Sequence, residues 1–561
     1  MKAQLSYEQG DFFSVQFPYQ LHYVRRIRNL GNRRWDPDTK SWLVHLAHLL
    51  EVMEIFELTR ADIPPKLWRA YQVYRIRNYR VRLIAGPVMA RLEGDNLPLD
   101  KIDAATSFFL PGYQYTQRFI EGRWDGRRHL LDRRRMQFPA GLLPRVRAVL
   151  NAEGVAYQFI EETPVPQRTL TFKRPPVELR DYQRACVQAA LNARRGVLEL
   201  ATGAGKTLLA ACLIHELGLP TLFVVHTRDL LHQTREVFRQ HLSSKIGQVG
   251  DGKIDLQPVT VATVQTCSRA FGINVGLTPD DDEPLEDDPT EVAARSKDVV
   301  EFVRSCPVVF FDECHHLPAE CCYALAMETK NAHYRYGLSA TPYRADRLDM
   351  LLEAALGEKI FCARASNLIE RGYLVPPEIY FYAVSPYRTA PSRRPDYATI
   401  FREYIIHNPE RNAMIVEHAR ALAEEGKSVL VLVSQVAHGE VLRELMPEAP
   451  LVQGTDSAEK RQKVFHRLGK KSLRIVIATT LADEGLDIPT LDAVILASGG
   501  KSETRALQRV GRSLRPAPKK KHATIIDFFD NAPYLQEHSL RRLEIFRTEP
   551  AFRIHTVGFT A

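Results

Sequence analysis

The residues best suited to chemistry begin with a glycine-rich segment, TGAGKT, at positions 202–207. It follows the apolar run VLEL and precedes the helical pattern LLAACLIHEL. Glycines let backbone N–H groups close around phosphate oxygens, while a lysine charge suits the β and γ phosphates and a threonine hydroxyl suits Mg²⁺. The residues predicted to hold phosphate are Thr202, Gly203, Ala204, Gly205, Lys206 and Thr207. Because Leu200 departs from the usual pattern, this loop alone also fits a chance glycine-rich turn.

A second reactive segment, DECHH, follows the apolar run VVFF. Asp312 is suited to hold Mg²⁺ through its water shell, and Glu313 to orient and polarise a water that attacks a phosphate. Cys314, His315 and His316 raise the alternative of a zinc site, but adjacent ligands rarely converge tetrahedrally and partner pairs are missing. Both segments therefore favour one ligand, a nucleoside triphosphate with Mg²⁺.

These segments need strands and helices to position them. Apolar runs alternate with helical patterns from about residue 176 onward, and apolar strands separated by helices predict parallel sheets covered by helices. The runs are VLEL, TLFVVH, VTVAT, VVFFDE and YGLSAT, then VLVLVS, IVIATT, AVILAS and ATIIDFF. A proline pair at 376–377 separates the two groups. The fold class predicted is α/β, with two parallel-sheet domains in tandem.

Five segments in order extend this pattern, and together they resemble the motifs of superfamily 2 helicases. They are RDYQ at 180–183, DECHH at 312–316, SATP at 339–342, ATTLADEGLDIP at 478–489 and QRVGRSLR at 508–515, in addition to the glycine-rich loop. The resemblance implies two RecA-like domains that bind ATP and Mg²⁺ between them. It covers most of the chain after residue 176.

The nucleotide contacts expected from these segments come from both domains. Gln183 offers an amide donor and acceptor to the adenine edge, and Arg180 would stack or pair beside it. Arg512 and Arg515, with Gln508, would project from the second domain toward the γ-phosphate, the arginines as fingers. Hydrolysis would then require both domains to close.

The resemblance also implies coupling and nucleic-acid contacts. Coupling between the ATP site and nucleic acid is expected at Ser339, Thr341, Arg344 and Asp346, and at Gly485 and Asp487 in the second domain. Phosphate contacts without base reading are expected from loops at strand ends. These loops contribute Thr227, Arg228, Thr263, Ser434, Gly454, Thr455 and Thr479.

The details of the motifs are similar to the XPB and UvsW branch. The segment RAD at 344–346 looks like a variant of the RED element of that branch, with a different middle residue. The segment from FFLPGYQ to LLPRV resembles the amino-terminal domain of UvsW, and FFSVQFPYQ to LLEVMEIF is similar to the HARP domain of annealing helicases. The DNA contacts expected in the UvsW-like segment are Arg118, Arg123, Trp124, Arg127, Arg128, Arg133, Arg134 and Arg135.

Charge supports a nucleic-acid partner for the amino-terminal third of the chain. Residues 1–175 hold 28 Lys and Arg against 18 Asp and Glu, a balance of +10, whereas the whole chain has +9. Proteins that grip phosphate backbones concentrate cations in this way, although a solvated surface would also fit. The eight cysteines lack the spacing of a disulfide framework, and no apolar run is long enough for a membrane helix. A cytoplasmic protein is expected.

The domain boundaries expected from these observations are listed from the amino terminus. They are a HARP-like small α+β domain at 1–60, a connecting segment at 61–104, a UvsW-like basic domain at 105–175, a first RecA-like domain at 176–375 with an acidic loop at 277–295, a second RecA-like domain at 376–545, and a tail at 546–561.

The function expected is an ATP-dependent DNA helicase or translocase for branched or forked DNA, with 3′ to 5′ travel implied by the family. One alternative is a motor that anneals or remodels strands, or that drives a restriction or defence complex, without extensive unwinding. Another is a DNA-binding scaffold with a vestigial ATP site. The presence of Lys206, Asp312, Glu313 and Arg512 argues against the scaffold.

Overall fold

A computed structural model of the chain describes residues 3–78, 81–172, 177–273, 289–342, 349–385, 396–479, 491–499, 510–511, 513–517 and 520–559. The chain divides into two compact units. The first, here called the accessory unit, contains residues 1–166, 329–334 and 345–358. The second, here called the motor unit, contains residues 167–328, 335–344 and 359–561.

The accessory unit begins with an antiparallel sheet backed by helices. Its elements are β1 (Gln4–Tyr7), β2 (Phe12–Gln16), α1 (Leu21–Arg28), β3 (Arg33–Asp36), β4 (Ser41–His45), α2 (Leu49–Ile55) and α3 (Pro65–Asn78), and the strand order is β1-β2-β4-β3. Phe13 and Val15 are buried and alternate with more exposed residues along β2, which is the pattern of a half-buried strand. They pack with Ile27 and Leu67 into one apolar core.

A second small sheet follows in the same unit. Its elements are β5 (Val81–Ala85), β6 (Met89–Glu93), α4 (Leu99–Ala105), β7 (Ser107–Phe109), α5 (Gln117–Ile120), β8 (Arg127–His129), β9 (Gln137–Pro139), α6 (Leu143–Ala152) and β10 (Tyr157–Glu161). The strand order is β10-β5-β6-β9, and β7 pairs with β8 in a separate hairpin.

This second sheet corrects one expected boundary. Residues 61–104 are not a simple connection, because β5 and β6 lie between β10 and β9. The two strands are joined by a tight turn in which the N–H of Gly86 donates to the carbonyl of Met89 at 2.9 Å. Charged residues such as Arg82 and Arg91 interrupt the apolar pattern of these strands, so they lack the continuous apolar runs of the motor sheets.

The motor unit opens with a sheet whose described strands are parallel except at one edge. Its helices are α7 (Asp181–Ala193), α8 (Lys206–Leu217), α9 (Arg228–Leu242), α10 (Val264–Ala270), α11 (Pro289–Ser305) and α12 (Glu320–Glu328). Its strands are β11 (Arg195–Leu200), β12 (Thr221–Val225), β13 (Gly247–Gly250), β14 (Lys253–Asp255), β15 (Val259–Thr263), β16 (Val308–Asp312) and β17 (Tyr334–Ser339).

Three further elements complete this region: α13 (Asp349–Leu356), β18 (Lys359–Ala363) and α14 (Ala365–Glu370). The strand order is β14-β13-β15-β12-β16-β17-β11-β18, and β14 is antiparallel to β13. The fully buried β12, β15 and β16 explain the continuous apolar runs in the sequence. Of the expected acidic loop at 277–295, residues 277–288 lie outside the described ranges, and 289–295 belong to α11.

The second parallel sheet of the motor unit contains the strands β19 (Pro377–Val384), β20 (Val429–Val433), β21 (Leu451–Val452), β22 (Ile475–Thr479), β23 (Ala493–Leu496), β24 (Ala523–Asp530) and β25 (Arg553–Val557). The helices of the same region are α15 (Tyr397–Phe401), α16 (Pro409–Glu424), α17 (Val436–Leu445), α18 (Ala458–Gly469) and α19 (Leu535–Arg547). The order is β21-β22-β20-β23-β24-β19-β25. Residues 553–557 of the expected tail therefore form an edge strand. The predicted fold class, α/β with two parallel sheets, is confirmed.

Helix α13 packs within the accessory unit, although in sequence it lies between β17 and β18 of the first parallel sheet. A Cβ atom on Gly141 would lie 1.9 Å from the carbonyl oxygen of Glu353, so this close contact requires glycine. Arg145 binds the Glu353 carboxylate at 2.6 Å, and Leu352 and Leu356 are fully buried. Across the described parts of the chain, no helix is long and apolar enough to cross a membrane.

Candidate nucleotide-binding site

The loop between β11 and α8 has a backbone shape suited to phosphate. Gly203 and Gly205 have φ angles of 87° and 85°, in the left-handed region that side chains disfavour. A Cβ atom on Gly205 would stand 3.0 Å from Nε2 of Gln183, so the loop also lacks space there. Helix α8 begins directly at Lys206, and the N–H groups of a first helical turn are free to bind an anion. The loop and the helix end together favour a phosphate group.

The two acidic residues meet this loop. Asp312 ends β16 and is buried, and its Oδ1 accepts the backbone N–H of Glu313 at 3.0 Å. Glu313 has a φ of 46°, a left-handed conformation at the point where the chain leaves the strand. Its carboxylate forms an ion pair with Nζ of Lys206. The fold therefore brings two distant segments of the sequence into direct contact.

Burial and the ion pair set the charges in this cluster. Burial raises the pKa of Asp312 to about 6, although the nearby Lys206 ammonium opposes the shift. Burial also opposes ionisation of Glu313, but Lys206 and His315 outweigh it and hold the pKa of Glu313 below its usual range. Despite its desolvation, the carboxylate partner keeps the pKa of Lys206 above the usual value. A divalent cation beside Asp312 would favour its ionised form.

Thr207 and Asp312 fit a Mg²⁺ ion shared with a nucleotide. Thr207 lies in the first turn of α8, and Asp312 stands at the carboxyl end of β16. Mg²⁺ keeps several waters and needs only one or two carboxylates when phosphates supply other oxygens. Within the described ranges, no group of three or more His, Cys, Asp or Glu side chains could hold a metal ion. The described residues thus give no support to zinc at Cys314, His315 and His316.

The residues predicted to hold adenine lie at the start of α7. Gln183 donates from Nε2 to the carbonyl of Ala204 at 3.1 Å and accepts the N–H of Arg180 at 3.0 Å, which leaves its amide a second donor and acceptor site. The Arg180 guanidinium lies 4.6 Å from the ring centre of Tyr373. Tyr373 also donates its hydroxyl to Asp181 at 3.1 Å. Sequence reasoning missed Tyr373, because nothing in its local sequence ties it to α7.

A segment of the second sheet's domain faces the phosphate loop. A Cβ atom on Gly511 would lie 2.4 Å from Cβ of Thr202, so the approach requires glycine. The Arg515 side chain passes Gly203, with its Cγ 3.5 Å and its Nε 3.8 Å from the position of a Cβ there. Burial lowers the pKa of Arg515 below its usual range, yet guanidinium remains charged at neutral pH. The predicted residues Gln508, Arg512, Gly485 and Asp487 lie outside the described ranges.

Known proteins match the chain in these same regions. Residues 176–344 match the family described as "Type III restriction enzyme, res subunit", and residues 410–517 match "Helicase conserved C-terminal domain". The DNA 3′-5′ translocase XPB2 of Sulfurisphaera tokodaii is 26% identical over 423 residues, which are 69% of this chain and 89% of that protein. The ATP-dependent DNA helicase uvsW of Enterobacteria phage T4 is 24% identical over 493 residues, which are 79% and 92%.

These matches agree with the ordered motifs and with the two parallel sheets. The chain therefore has the two conserved domains of an ATP-dependent superfamily 2 helicase, and over most of its length it is similar to helicases of the XPB/UvsW branch. A helicase of Sulfolobus islandicus filamentous virus is 30% identical over 266 residues, which are 44% of this chain. The chain spans 47% of the length of that viral relative.

In this helicase, hydrogen bonds join the acidic pair to the SATP segment. Oγ of Ser339 lies 3.1 Å from Nδ1 of His315 and 3.5 Å from Oε2 of Glu313. The same hydroxyl accepts the backbone N–H of Thr341 at 3.2 Å. The Ser339 hydroxyl thus connects the Glu313 carboxylate with the backbone of the SATP segment. Arg344 and Asp346, also predicted for coupling, lie outside the described ranges.

The predicted DNA-contacting loops of the helicase lie at strand ends in both parallel sheets. Thr227 begins α9 as its N-cap and its hydroxyl accepts the N–H of Leu230 at 3.3 Å, with Arg228 next in the helix. Ser434 follows β20, and Thr455 is exposed in the loop after β21. These positions suit contacts to phosphate.

Two of the predicted DNA contacts have buried side chains. Thr263 is an N-cap of α10 and is only 2% exposed. Thr479 ends β22 and is 4% exposed, and its hydroxyl has no hydrogen-bond partner among the described residues. In this conformation a phosphate could reach these positions only through the backbone, which the sequence pattern did not distinguish from a hydroxyl contact.

An ion pair joins the loops of the two motor domains. Both Nη1 and Nη2 of Arg461 are engaged: Nη1 donates to the carbonyl of Gly454 at 2.8 Å, and Nη2 to Oδ2 of Asp229 at 2.6 Å. Asp229 directly follows Thr227 and Arg228 in sequence, so one arginine connects the predicted DNA-contacting loops. The pair is mostly buried, with side-chain exposures of 15% for Arg461 and 30% for Asp229. The sequence analysis did not predict this ion pair, because Asp229 lies on α9 of the first motor domain and Arg461 lies on α18 of the second.

We expect Arg461→Gln and Asp229→Asn each to lower DNA-stimulated ATP turnover about fivefold, because each removes a charge-assisted contact that holds the two domains together. Steady-state ATPase rates at saturating DNA would measure the effect. The charge exchange Asp229→Arg with Arg461→Asp should restore part of the loss. Arg420→Gln, which breaks an exposed pair with Glu448 inside one domain, serves as the control. Fully additive single effects, with no recovery in the exchange, would contradict a direct coupling.

The arginines predicted to bind DNA in the accessory unit have different neighbours. Arg127 donates to Oγ of Ser107 at 3.0 Å and lies 4.3 Å from the ring centre of Phe109. Arg133 binds the Asp103 carboxylate at 2.7 Å. These two arginines hold local elements together, so they are less available to phosphate than their sequence neighbours.

Other members of the predicted set face solvent. Arg118, Arg123, Arg134 and Arg135 are exposed, whereas Arg128 is half-buried. Arg123 pairs with Glu121 at 3.1 Å, and Arg135 approaches Asp132 at 3.8 Å, both in exposed positions where such pairs contribute little. Trp124 donates its indole N–H to the carbonyl of Arg127 at 2.8 Å and is half-buried. It packs within the unit and does not offer an open platform.

Proposed function

We propose that this helicase uses ATP and Mg²⁺ to translocate on DNA and to remodel branched or forked DNA. The observation that carries the proposal is a nucleotide cleft contacted by both motor domains, combined with a separate accessory unit that exposes several arginines. The cleft supplies force, because closing and opening it changes the distance between two phosphate-gripping surfaces. The accessory unit supplies a second DNA contact, which a motor confined to one strand does not need.

Hydrolysis in this proposal uses the Lys206 and Glu313 pair. Lys206 exchanges its partner from Glu313 to the γ-phosphate, which leaves the Glu313 carboxylate free to orient the attacking water. Thr207 and Asp312 would hold Mg²⁺, which would supply positive charge to the phosphate oxygens. Arg515, together with Arg512, adds positive charge from the second domain as negative charge develops on the leaving phosphates.

Coupling to DNA follows from contacts that span the cleft. The rearranged Glu313 alters the hydroxyl network of Ser339, and the Asp229 and Arg461 pair holds the two DNA-contacting loops at one spacing. Hydrolysis that opens the cleft stretches this pair, so each cycle moves one loop relative to the other. We propose travel from 3′ to 5′, which is the direction printed in the name of the Sulfurisphaera tokodaii relative.

The test is a panel of DNA substrates with matched sequences. ATP turnover and strand separation would be measured on a fork, a Holliday junction, an R-loop, a blunt duplex and a single strand. We expect the fork or junction to be processed fastest and the blunt duplex slowest. Equal processing of all duplex substrates would contradict the branched-DNA part of the proposal, and no stimulation of ATP turnover by any DNA would contradict the motor.

A second candidate is a motor that anneals or remodels DNA without extensive unwinding, either alone or as a subunit of a restriction complex. The match of residues 176–344 to the family described as "Type III restriction enzyme, res subunit" favours it. Such a motor would hydrolyse ATP on duplex DNA and displace a bound protein or third strand without releasing single strands. Triplex displacement on a blunt duplex, compared with fork unwinding, separates the two candidates.

We expect Arg118→Ala with Arg134→Ala to weaken fork binding and to flatten its salt dependence, because each lost phosphate contact removes about 0.9 from the slope of log affinity against log salt. ATP turnover on a saturating single strand should change little. Arg443→Ala with Arg541→Ala, which removes exposed arginines from the second motor domain, is the control. An unchanged slope would mean that these arginines are only solvated charges.

Point substitution is preferable to removing residues 1–175. Helix α13 belongs to the accessory unit by its packing, and its Leu352 and Leu356 are fully buried there. A deletion would leave this helix on the motor while stripping its apolar contacts, which invites aggregation. Point substitutions leave the packing of this helix intact.

A further inference from the structure

Strands β7 and β8 and the residues between them, 107–129, form a segment here called the lobe. Short strands at its base lead into a 3₁₀ turn at Tyr113–Tyr115 and the short helix α5. The lobe contains four arginines against two acidic residues, a balance of +2. It lies entirely within the accessory unit.

An aromatic cluster makes the lobe rigid. Phe109 and Tyr113 stack with ring centres 4.8 Å apart, and Phe119 meets Tyr113 edge-on at 4.8 Å. A Cβ atom on Gly126 would lie 2.4 Å from Cδ2 of Tyr113, so the ring packs directly on the glycine backbone. The N–H of Leu110 donates to the carbonyl of Gly126 at 3.0 Å and joins the residues next to β7 and β8.

The base of the lobe is fixed by a polar network. His129 lies between two carboxylates, with Nδ1 2.8 Å from Asp103 and Nε2 3.0 Å from Asp125. Asp103 is buried on α4, so the network joins the lobe to the body of the unit. The carboxylates, working against desolvation, hold the pKa of His129 above its usual value. These contacts hold the base of the lobe against α4.

Two apolar side chains of the lobe are largely exposed to solvent. Tyr115 is 82% exposed and Ile120 is 71% exposed. The arginines nearest to them in sequence, Arg118 and Arg123, are also exposed. Two apolar side chains this exposed, in a segment that also exposes two arginines, suit a ligand that combines an apolar face with negative charge.

We propose that Tyr115 and Ile120 form a wedge that stacks on the last base pair of a DNA fork and separates its strands. A terminal base pair offers a flat apolar face bounded by phosphates, which matches an aromatic and an aliphatic side chain bounded by arginines. Arg118 and Arg123 then contact the backbones of the diverging strands. An apolar protein partner would not require these two arginines. The inference deepens the proposed function, because it names the part of the substrate that the accessory unit recognises.

The first experiment tests contact without ATP. A fork carries 2-aminopurine at the last base pair, and its fluorescence is recorded as full-length protein is added. We expect a clear fluorescence change with the wild type and at least a severalfold smaller change with Tyr115→Ala and Ile120→Ala together, at protein concentrations that saturate the fork. Tyr19→Ala, which removes an 80% exposed ring elsewhere in the accessory unit, is the matched control and should respond as the wild type.

The second experiment measures fork unwinding at saturating ATP. The double variant should unwind about tenfold more slowly, in line with the stacking contribution of one aromatic residue, while turnover on a single strand stays within about twofold. Tyr115→Trp should restore most of the rate. The wedge is overturned if the double variant gives the wild-type fluorescence change, or if Tyr19→Ala slows unwinding equally. A wild type that reports stacking but never unwinds would instead overturn the helicase activity, so the two failures are distinguishable.

Discussion

Replacing Glu313 with glutamine should lower DNA-stimulated ATP turnover by about 10²-fold to 10⁴-fold while ATP binding survives. The substitution removes the carboxylate that orients water, yet the amide occupies nearly the same volume. It also frees the Lys206 ammonium from its ion pair, so ATP affinity should stay equal or rise. Single-turnover hydrolysis and titration with a fluorescent ATP analogue would measure the two quantities separately.

The matched control for this prediction is Glu199→Gln. Glu199 lies on β11 near the cleft, has a similarly buried carboxylate and pairs with Lys359 at 2.8 Å, away from Lys206. We expect its turnover to remain within about threefold of the wild type, as for removal of an ordinary ion pair. Lys206→Ala should instead lose both binding and turnover, because it removes the phosphate charge. Near-wild-type turnover in Glu313→Gln would remove Glu313 from the mechanism.

Arg515→Ala should slow hydrolysis by about 10²-fold or more and leave ATP affinity within about threefold. The Arg515 side chain passes the glycine-rich loop at Gly203. A positive charge at that position acts chiefly on the negative charge that develops in the transition state. Measurements of kcat and of the ATP dissociation constant at saturating DNA would test the split.

The conservative variant sharpens this test. Arg515→Lys keeps a positive charge but loses the planar fork of donors, so we expect partial activity between the wild type and Arg515→Ala. Equal losses of affinity and turnover in Arg515→Ala would mean that Arg515 anchors bound ATP and does not assist hydrolysis. Arg512→Ala, which changes the other predicted finger, should resemble Arg515→Ala in the same assays.

The motor sheets were predictable because their signals are local. Strands buried on both faces must be apolar throughout, so runs such as VVFF and VLVLV identify β16 and β20 without any knowledge of their neighbours. The glycine-rich loop is also local, since positive φ angles at Gly203 and Gly205 favour residues without a Cβ atom. The resemblance to the ordered helicase motifs then indicated that the two sheet domains bind one nucleotide between them.

The accessory sheets were harder to predict. Their strands are short and half-buried, with arginines on the solvent side of β5 and β6, so the apolar pattern is weak. The edge strand β25 has the same difficulty, because most of its residues are exposed and it is held by pairing with β19. Such strands form because a neighbour supplies backbone hydrogen bonds, and that neighbour is not visible in their own sequence.

By itself the sequence determined the chemistry of this helicase: a phosphate loop, an acidic pair, two parallel sheets and an arginine-rich amino-terminal third. Only the tertiary structure decided which of those groups meet. Arg127 and Arg133 look equivalent to Arg118 in sequence, but Ser107, Phe109 and Asp103 from other elements engage the first two and leave Arg118 exposed. The partner of Arg461 was decided in the same way. Residue type and local spacing set what a side chain can do, whereas its partners depend on contacts between segments far apart in the chain.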